Sequence, residues 1–490
     1  MENLIPLFVA IPLGVAFVIP MVSRKVRWFP DVFGNLTMLC LLMMAVATRG
    51  QQTIYHMGGW STPIGIDLRL DGLTTLMLIT INAIGLAATL FSVQYMRLYT
   101  SKLRYYSLFL FMVAGMNGVV LTGDLFNLFV FMEIAAISSY ALVGFGCEHE
   151  ELEASFKYMV LGSVASALIL IGIAFTYALT GTLNMAHIAT RLATTPVKTP
   201  HIFTLALFIC GFGLKAALVP FHAWLPDAHP SAPAPISAML SGVVIKAIGV
   251  YVLARLLFNV FGITPGRLLI LRWLGALSMV VGVLMAIGQW DMKRLFAYHS
   301  ISQIGYVVLG LGIGTPLGIV GGLYHLINHS VFKSLLFLNA GAVEYATGTR
   351  DLKKLGGLSK SMPVTGTTSL VASMSIAGIP PLNGFWSKLI IVIACVQAGY
   401  YGMGVWAIFV SLITLASFLK VQRYGFFGSA KTALAKVRRA PALMATAMIL
   451  LALLCVAMAF LVVTGFETPL IVRPAADALL SGVFALIGAK

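Results

Sequence analysis

The chain has 490 residues, of which 59% are hydrophobic and only 10% charged, and it carries a net charge of +16. Soluble globular chains carry about 25% charged residues, so composition excludes the two or three soluble domains that length alone would suggest. Nucleic-acid binding is excluded as well, because the cations fall in short loops between apolar runs.

Those runs are long enough to cross a bilayer core as helices. They are continuous rather than alternating, which favours helices over a barrel. The first, residues 3–21, is followed by Arg24, Lys25 and Arg27, whereas a secretory signal carries its positive charges in front. It is therefore read as a retained span. Fourteen spans are expected, at roughly 3–21, 33–48, 72–94, 107–122, 126–146, 157–180, 202–220, 235–258, 268–287, 297–314, 317–343, 363–398, 402–420 and 441–464. The fold class is an all-α membrane protein. Its regions are 1–106 (spans one to three with an outer loop), 107–258 (a first unit of five spans), 268–420 (a second) and 421–490 (the last span and tail). Prolines break the seventh and twelfth spans, and consecutive units with an odd number of spans must be inverted relative to each other.

Loop charges set the orientation. With the N-terminus outside, the inner loops hold Arg24, Lys25, Arg27, Arg97, Lys102, Arg104, Lys293, Arg294, Arg350, Lys353, Lys354, Lys360, Lys420, Arg423, Lys431, Lys436, Arg438 and Arg439, eighteen of the 32 cations. The outer side holds nine: Arg49, Arg69, Arg191, Lys198, Arg255, Arg267, Arg272, Arg473 and Lys490. This bias predicts both termini outside. The outer loop 49–71, with Gly58-Gly59 and Pro63, reads as a short hairpin, and the last 25 residues as a segment lying along the membrane surface. Cys40, Cys147, Cys210, Cys395 and Cys455 are scattered without a CxxC pair, which argues against an iron–sulfur cluster or structural zinc held by this chain alone.

A charge at the bilayer centre costs at least about 2.5–3.5 kcal/mol. Glu133 lies in Phe-Val-Phe-Met-Glu-Ile-Ala-Ala and reads either as half of a structural ion pair or as an ionisable group on an ion path. Lys215 precedes Pro220, which has no N–H and forces the helix to bend or break. Broken helices are where transporters place ion sites. A Glu133–Lys215 pair at about 4 Å and an effective dielectric near 20 is worth roughly 4 kcal/mol of Coulomb energy. Burial alone disfavours the ammonium, so withdrawing the glutamate would release the lysine's proton. Lys246 stands mid-span in Val-Ile-Lys-Ala-Ile-Gly, and Lys388 follows the break at Pro380-Pro381; snorkelling is the alternative for both. His325, His329 and Lys333 are spaced i, i+4, i+8 along one helical face. Histidine titrates near physiological pH, which suits a proton relay; a metal site lacks an evident third ligand. His222, Asp227 and His229 sit in the proline-rich segment 220–235, read as a re-entrant or surface turn leading to Lys215. His299, near Ser300, Ser302 and Gln303, would continue the relay. Glu148, Glu150, Glu151 and Glu153 read as a solvated loop, with Glu153–Lys157 as a surface i, i+4 pair.

The stretches LKAALVPFHAWLPDAHPSAPAPISAMLSGVVIKAIGVY, TGDLFNLFVFMEI, DMKRLFAYHSISQIGY, YHLINHSVFKSLLFLNAG and MSIAGIPPLNGFWSK resemble the signatures of the antiporter-like subunits of Mrp antiporters and respiratory complex I. The outer loop GGWSTPIGIDLRLDGLTTLM looks like that of the D-type member of the Mrp antiporters. The resemblance implies fourteen core helices with two inverted five-helix repeats. It implies that Glu133 is the fifth-helix glutamate, Lys215 its seventh-helix partner, Lys246 the eighth-helix lysine and Lys388 the twelfth-helix lysine of the D-type and N-type members. His325, His329 and Lys333 match the histidine-rich eleventh helix.

The resemblance further implies a proton- or sodium/proton-translocating subunit in a prokaryotic inner (plasma) membrane. Its partners would be other membrane subunits, the lipid bilayer, protons and Na+. Any iron–sulfur cluster or quinone would be held by partner subunits, and no cofactor or metal by this chain. The family's assemblies are Mrp cation/proton antiporters, complex I, and membrane-bound hydrogenases or sulfane reductases; the eleventh-helix and outer-loop motifs favour an Mrp-type or hydrogenase-type complex over ordinary complex I. Two readings from other classes are a self-contained haem or quinone enzyme, disfavoured because His325 and His329 share one helix, and a solitary solute carrier.

Overall fold

The computed structural model of the chain describes residues 2–23, 26–99, 101–194, 199–429, 437, 439–463 and 472–481. Of the cations used for orientation, Arg24, Lys25, Lys198, Lys431, Lys436, Arg438 and Lys490 lie outside the described residues, as do 464–471 and 482–490 of the tail.

Helices α1 (Leu7–Val22) and α2 (Phe29–Ala47) come first. The polar loop that follows does form a hairpin, β1 (Thr53–His56) with β2 (Asp67–Leu70), antiparallel with Thr53 opposite Leu70. Four long helices follow: α3 (Gly72–Tyr95), α4 (Lys102–Leu121), α5 (Leu125–Val143) and α6 (His149–Thr180). After the short α7 (Met185–Thr194) comes a broken element, α8 (Thr199–Lys215) and α9 (Leu225–Ser231). Then come α10 (Ala234–Val260), α11 (Pro265–Ile287), α12 (Met292–Ile313) and α13 (Pro316–Thr347). A second broken element, α14 (Pro363–Ala377) and α15 (Asn383–Gln397), precedes α16 (Tyr401–Phe427), α17 (Ala442–Val463) and α18 (Val472–Leu480).

The all-helical membrane architecture expected from composition is the one adopted. Among the described residues eleven helices are long and apolar enough to cross a membrane. The 32-residue α13 is equally long but too polar to read that way from its composition. Aspartates and threonines start the helices: Asp71 accepts from Thr74 N, Asp124 from Phe126 N and Asn127 N, Asp291 from Arg294 N and Thr315 from Gly318 N. These caps satisfy amides that have no intrahelical partner.

α10 and α12 are buried on every side, whereas α1, α16 and α17 bury about a third of their residues. α10, α12 and α13 thus form the centre, and these three carry Lys246, His299, His325, His329 and Lys333. α10 contains three π-helical stretches, Leu240–Val244, Lys246–Tyr251 and Leu256–Val260.

The two ends of the bundle differ. At the hairpin end Asn184 donates to Asp67 at 2.8 Å, and Arg255 reaches Asp71 at 2.5 Å. There α18, the described part of the tail, packs its Val472, Ala475, Ala476 and Leu479 inward and accepts from Asn259 at Ala478 O. Lys102, Arg294, Arg350 and Lys420 gather at the opposite, basic end. Lys102 pairs with Asp31, Arg350 with Asp291, and Lys420 donates to Ile287 O and Gln289 O.

The seventh span is broken as expected, but its helix stops earlier than the expected end at 220 and the segment that follows is not a turn alone. Helix α8 stops at Lys215, ahead of Pro220, with Ala217 at a positive φ of 53°. The freed groups find partners: Val219 N donates to Ser278 Oγ at 3.0 Å, and Leu214 O accepts from Trp224 Nε1 at 3.0 Å. The segment expected as a turn contains α9, and its His229 is wholly buried. A polar backbone break inside an apolar slab must be covered by protein, so the chain beyond it folds back into the bundle.

Each break is pressed against a glycine. A Cβ at Gly249 would stand 2.7 Å from the backbone of Ala216, and one at Gly384 would stand 1.8 Å from Ser375 O. Nothing lies within 4 Å of a Cβ at Gly402. Gly249→Leu and Gly384→Ala should therefore each lower stability by about 1–3 kcal/mol, whereas Gly402→Ala should be neutral or stabilising. Thermal unfolding of the detergent-purified protein checks this; equal midpoints for all three would refute the close approach.

Candidate functional site

Glu133 on α5 and Lys215 at the end of α8 meet as expected, with Nζ 3.6 Å from Oε1. Ser166 of α6 stands between them: its hydroxyl donates to Glu133 Oε1 at 2.5 Å and accepts from Lys215 Nζ at 3.0 Å. Lys215 also donates to Tyr140 OH at 3.3 Å. Lys215 is buried, but Glu133 keeps 26% of its side chain exposed. The pair is therefore lopsided: the ammonium is fixed inside, and the carboxylate sits at an edge where it has room to move.

The other three central lysines, Lys246, Lys333 and Lys388, have no carboxylate partner among the described residues. Lys246, wholly buried, donates to Ser241 O at 2.5 Å and Gly242 O at 2.8 Å. Lys333 donates to Phe296 O and lies over the Phe296 and Phe337 rings, 5.7 Å from each centroid. Lys388 donates to Ile376 O at 2.7 Å and Ser411 Oγ at 3.1 Å, 4.9 Å from the Tyr306 ring centroid. No hydrogen bond among the described residues joins Lys215 directly to Lys246.

The histidines line the centre. His325 and His329 are stacked with centroids 6.3 Å apart, and His325 Nδ1 contacts Ser387 Oγ at 2.9 Å. His299 Nε2 contacts Ser417 Oγ at 2.9 Å. His329 lies within electrostatic reach of Lys246, Lys333, His325 and His229, and His325 within reach of Lys388. Several buried atoms have no protein partner among the described residues: both ring nitrogens of His229 and His329, one each of His299 and His325, and both amide atoms of Gln303. Buried polar atoms need a partner, and water is the usual one where protein supplies none.

His222 and Asp227 stand apart from this axis. His222 is half-buried beside the first break. Asp227 faces the basic end and pairs with Lys157 and Arg294, each at 3.2 Å. The expected Glu153–Lys157 pair forms at 2.7 Å. There a cavity of about 460 Å³ is lined by charged groups that include Asp227, Asp291, Arg294 and Arg350. Burial lowers the Arg350 guanidinium's affinity for its proton, but the Glu344 and Asp291 carboxylates outweigh this and hold it above its usual value.

Sequence reasoning missed Ser166 and Tyr140. The only sequence signal for Tyr140 was its place seven residues, two turns, after Glu133 on one helical face. It also counted Lys293 as a loop cation, whereas Lys293 is buried and pairs with Glu344 at 3.2 Å. Among the described residues no three His, Cys, Asp or Glu side chains converge as metal ligands.

Comparison with known proteins places these residues in context. Residues 122–414 match the family described as NADH:quinone oxidoreductase/Mrp antiporter, transmembrane, and residues 57–106 match the complex I chain 5 N-terminus. The chain is 39% identical over 402 residues to the D subunit of a Na(+)/H(+) antiporter from Alkalihalophilus pseudofirmus, covering 82% of this chain and 81% of that one. It is 37% identical over 426 residues to the N subunit of an NADH-quinone oxidoreductase from Desulforudis audaxviator, covering 85% of each. Its fold superposes on a chain of the Mrp complex from a Dietzia species with a TM-score of 0.91 and 30% identity, covering 98% of this chain and 97% of that one.

The lopsided burial of the Glu133–Lys215 pair has a measurable consequence. Glu133→Gln should destabilise more than Lys215→Met, because it strands the buried ammonium. The double substitution should recover most of the loss. A wholly buried pair would lose about 3–5 kcal/mol on such a break; the exposed edge of Glu133 makes the loss smaller. Thermal midpoints of the four proteins close the cycle, and a larger loss for Lys215→Met would contradict it.

Proposed function

Because the chain belongs to the NADH:quinone oxidoreductase/Mrp antiporter transmembrane family, we propose that it is the proton-translocating, antiporter-like membrane subunit of a multi-subunit Mrp-type assembly. The single observation that carries this is the Glu133–Ser166–Lys215 triplet at a helix break. An ammonium in an apolar slab keeps its proton while a carboxylate is close and sheds it when the carboxylate leaves. Glu133 is the partner with room to move, so its approach and withdrawal would load and unload Lys215. Protons would then pass along Lys246, His329, Lys333, His325 and Lys388, with His299 beside the path and His222, Asp227 and His229 toward its entrance. The unpartnered ring nitrogens support this, since water that satisfies them would also conduct protons.

The proposal includes fourteen passes in two inverted five-helix repeats, supported by the matching breaks at 216–224 and 378–382. It puts the basic end inside and both termini outside, on the positive-inside rule. The assembly would sit in a prokaryotic plasma membrane and exchange protons for a cation such as Na+. Any redox cofactor would belong to partner subunits. The 37% identity to a subunit of an NADH-quinone oxidoreductase favours a second reading, a pump module of a redox-driven complex. Affinity capture from native membranes separates the two: only membrane subunits on the tagged chain support the Mrp-type assembly, and iron–sulfur partners support the redox-driven one.

Glu133→Ala and Lys215→Ala should each abolish proton-coupled transport in everted vesicles while leaving the complex assembled. Full coupling in either assembled variant would rule the mechanism out.

A further inference from the structure

We propose that Glu344 is the proton-accepting carboxylate of an inlet at the basic end, which delivers protons to Lys333 through His229. This rests on the proposed function. Glu344 is eleven residues beyond Lys333 on α13, three turns on and within about 20° of the same face, roughly 16 Å along the helix. It thus ends the stripe that begins at His325. It keeps 27% of its side chain exposed, and its partner Arg350, at 3.3 Å, lines the charged cavity.

The carboxylate is held but not sealed. Lys293 reaches it at 3.2 Å and also donates to Ala232 O at 3.0 Å, just past α9. Arg350 also donates to Pro230 O, in α9, at 2.5 Å. Tyr95 OH lies 3.5 Å from Glu344 Oε2, and Tyr99, Asp291 and Glu151 complete the titratable surroundings. Both cations therefore tie Glu344 to the short helix that carries His229. That histidine is fully buried, has no partner for either ring nitrogen among the described residues, and packs on Phe337 with centroids 5.0 Å apart and the rings tilted by 32°. Phe337 lies between Lys333 and Glu344 on α13, and Lys333 sits over the same ring.

Protons and charge balance at each transfer. A hydronium entering the cavity from the adjoining aqueous phase gives a proton to the Glu344 carboxylate and leaves as water; the neutral carboxyl loosens from Lys293 and Arg350. Glu344 passes the proton through water to a His229 ring nitrogen, and its carboxylate re-forms the two ion pairs. His229 gives the proton to the neutral amine of Lys333 and returns to neutral imidazole. Phe337 and Glu344 are about 10 Å apart along the helix, a distance for water rather than direct contact.

The test uses the whole complex in vesicles, with proton flux followed by a pH-sensitive dye while pH on the basic-end face is varied. Glu344→Gln should lower flux by about a hundredfold, the low end of what a positioned proton-transfer group contributes, and flatten the dependence on that pH. Glu344→Asp should restore both. His229→Phe keeps the ring on Phe337 and should lower flux equally. Glu153→Gln, which lines the same cavity, should leave flux unchanged. Assembled Glu344→Gln with wild-type flux and pH profile overturns the inlet. If Glu344→Gln does not assemble, His229→Phe decides, and wild-type flux in it overturns the inlet. A wild-type complex that moves no protons would instead overturn the proposed function.

Discussion

The burial of ammonium groups in an apolar slab is the constraint from which the irregular parts of this fold follow. Among the described residues only Lys215, of the four central lysines, has a carboxylate; the others depend on backbone oxygens, with the Ser411 hydroxyl in addition for Lys388. A regular helix has few to spare, because each interior carbonyl already accepts an amide. Irregular backbone supplies them. Lys246 binds Ser241 O and Gly242 O inside the π-helical part of α10, where the ladder is out of register. Lys388 binds Ile376 O in the last turn of α14, where carbonyls lack intrahelical partners and the helix dipole favours a cation. Lys215 itself ends α8. The π stretch of α10 and the second break are thus the means by which Lys246 and Lys388 are held without acids, whereas Lys333 reaches Phe296 O of the regular helix α12; the glycines at 249 and 384 let the neighbouring backbone cover the breaks.

Much of this was legible from residue type and order. A lone charge in an apolar run is costly enough that Glu133, Lys215, Lys246 and Lys388 stand out before any coordinates. Proline marks where a helix cannot continue, so both broken elements were visible. It does not mark where the helix stops: α8 ends at Lys215, five residues ahead of Pro220. What a segment packs against is a tertiary fact without local periodicity, and so α9 and the burial of His229 were not visible. Ser166 and Tyr140 cost little to insert and raise no signal in a span. Lys293 and Glu344 lie near span ends, where a charge looks solvated by default; only the packing of α9 and α3 over them shows otherwise.

The two broken elements also differ in a way that gives a path a direction. Each lysine has a serine hydroxyl and a tyrosine beside it: Ser166 and Tyr140 for Lys215, Ser411 and Tyr306 for Lys388. Counting back seven residues from the tyrosine gives Glu133 on α5 and His299 on α12. In the proposed inverted repeat these two are counterparts, so the first unit carries an acid where the second carries a base. The consequence is energetic. In the proposed mechanism Lys215 owes its charge to a group that can leave, and its proton affinity would swing with the position of Glu133. The direct partners of Lys388 are a fixed carbonyl, a hydroxyl and a ring face, and none of these changes charge, so its affinity stays where the backbone sets it. In the proposed mechanism, a site whose affinity swings and one whose affinity is constant would divide the work, the first loading and unloading protons and the second passing them on. The proposed switch then lies at the exposed edge of Glu133.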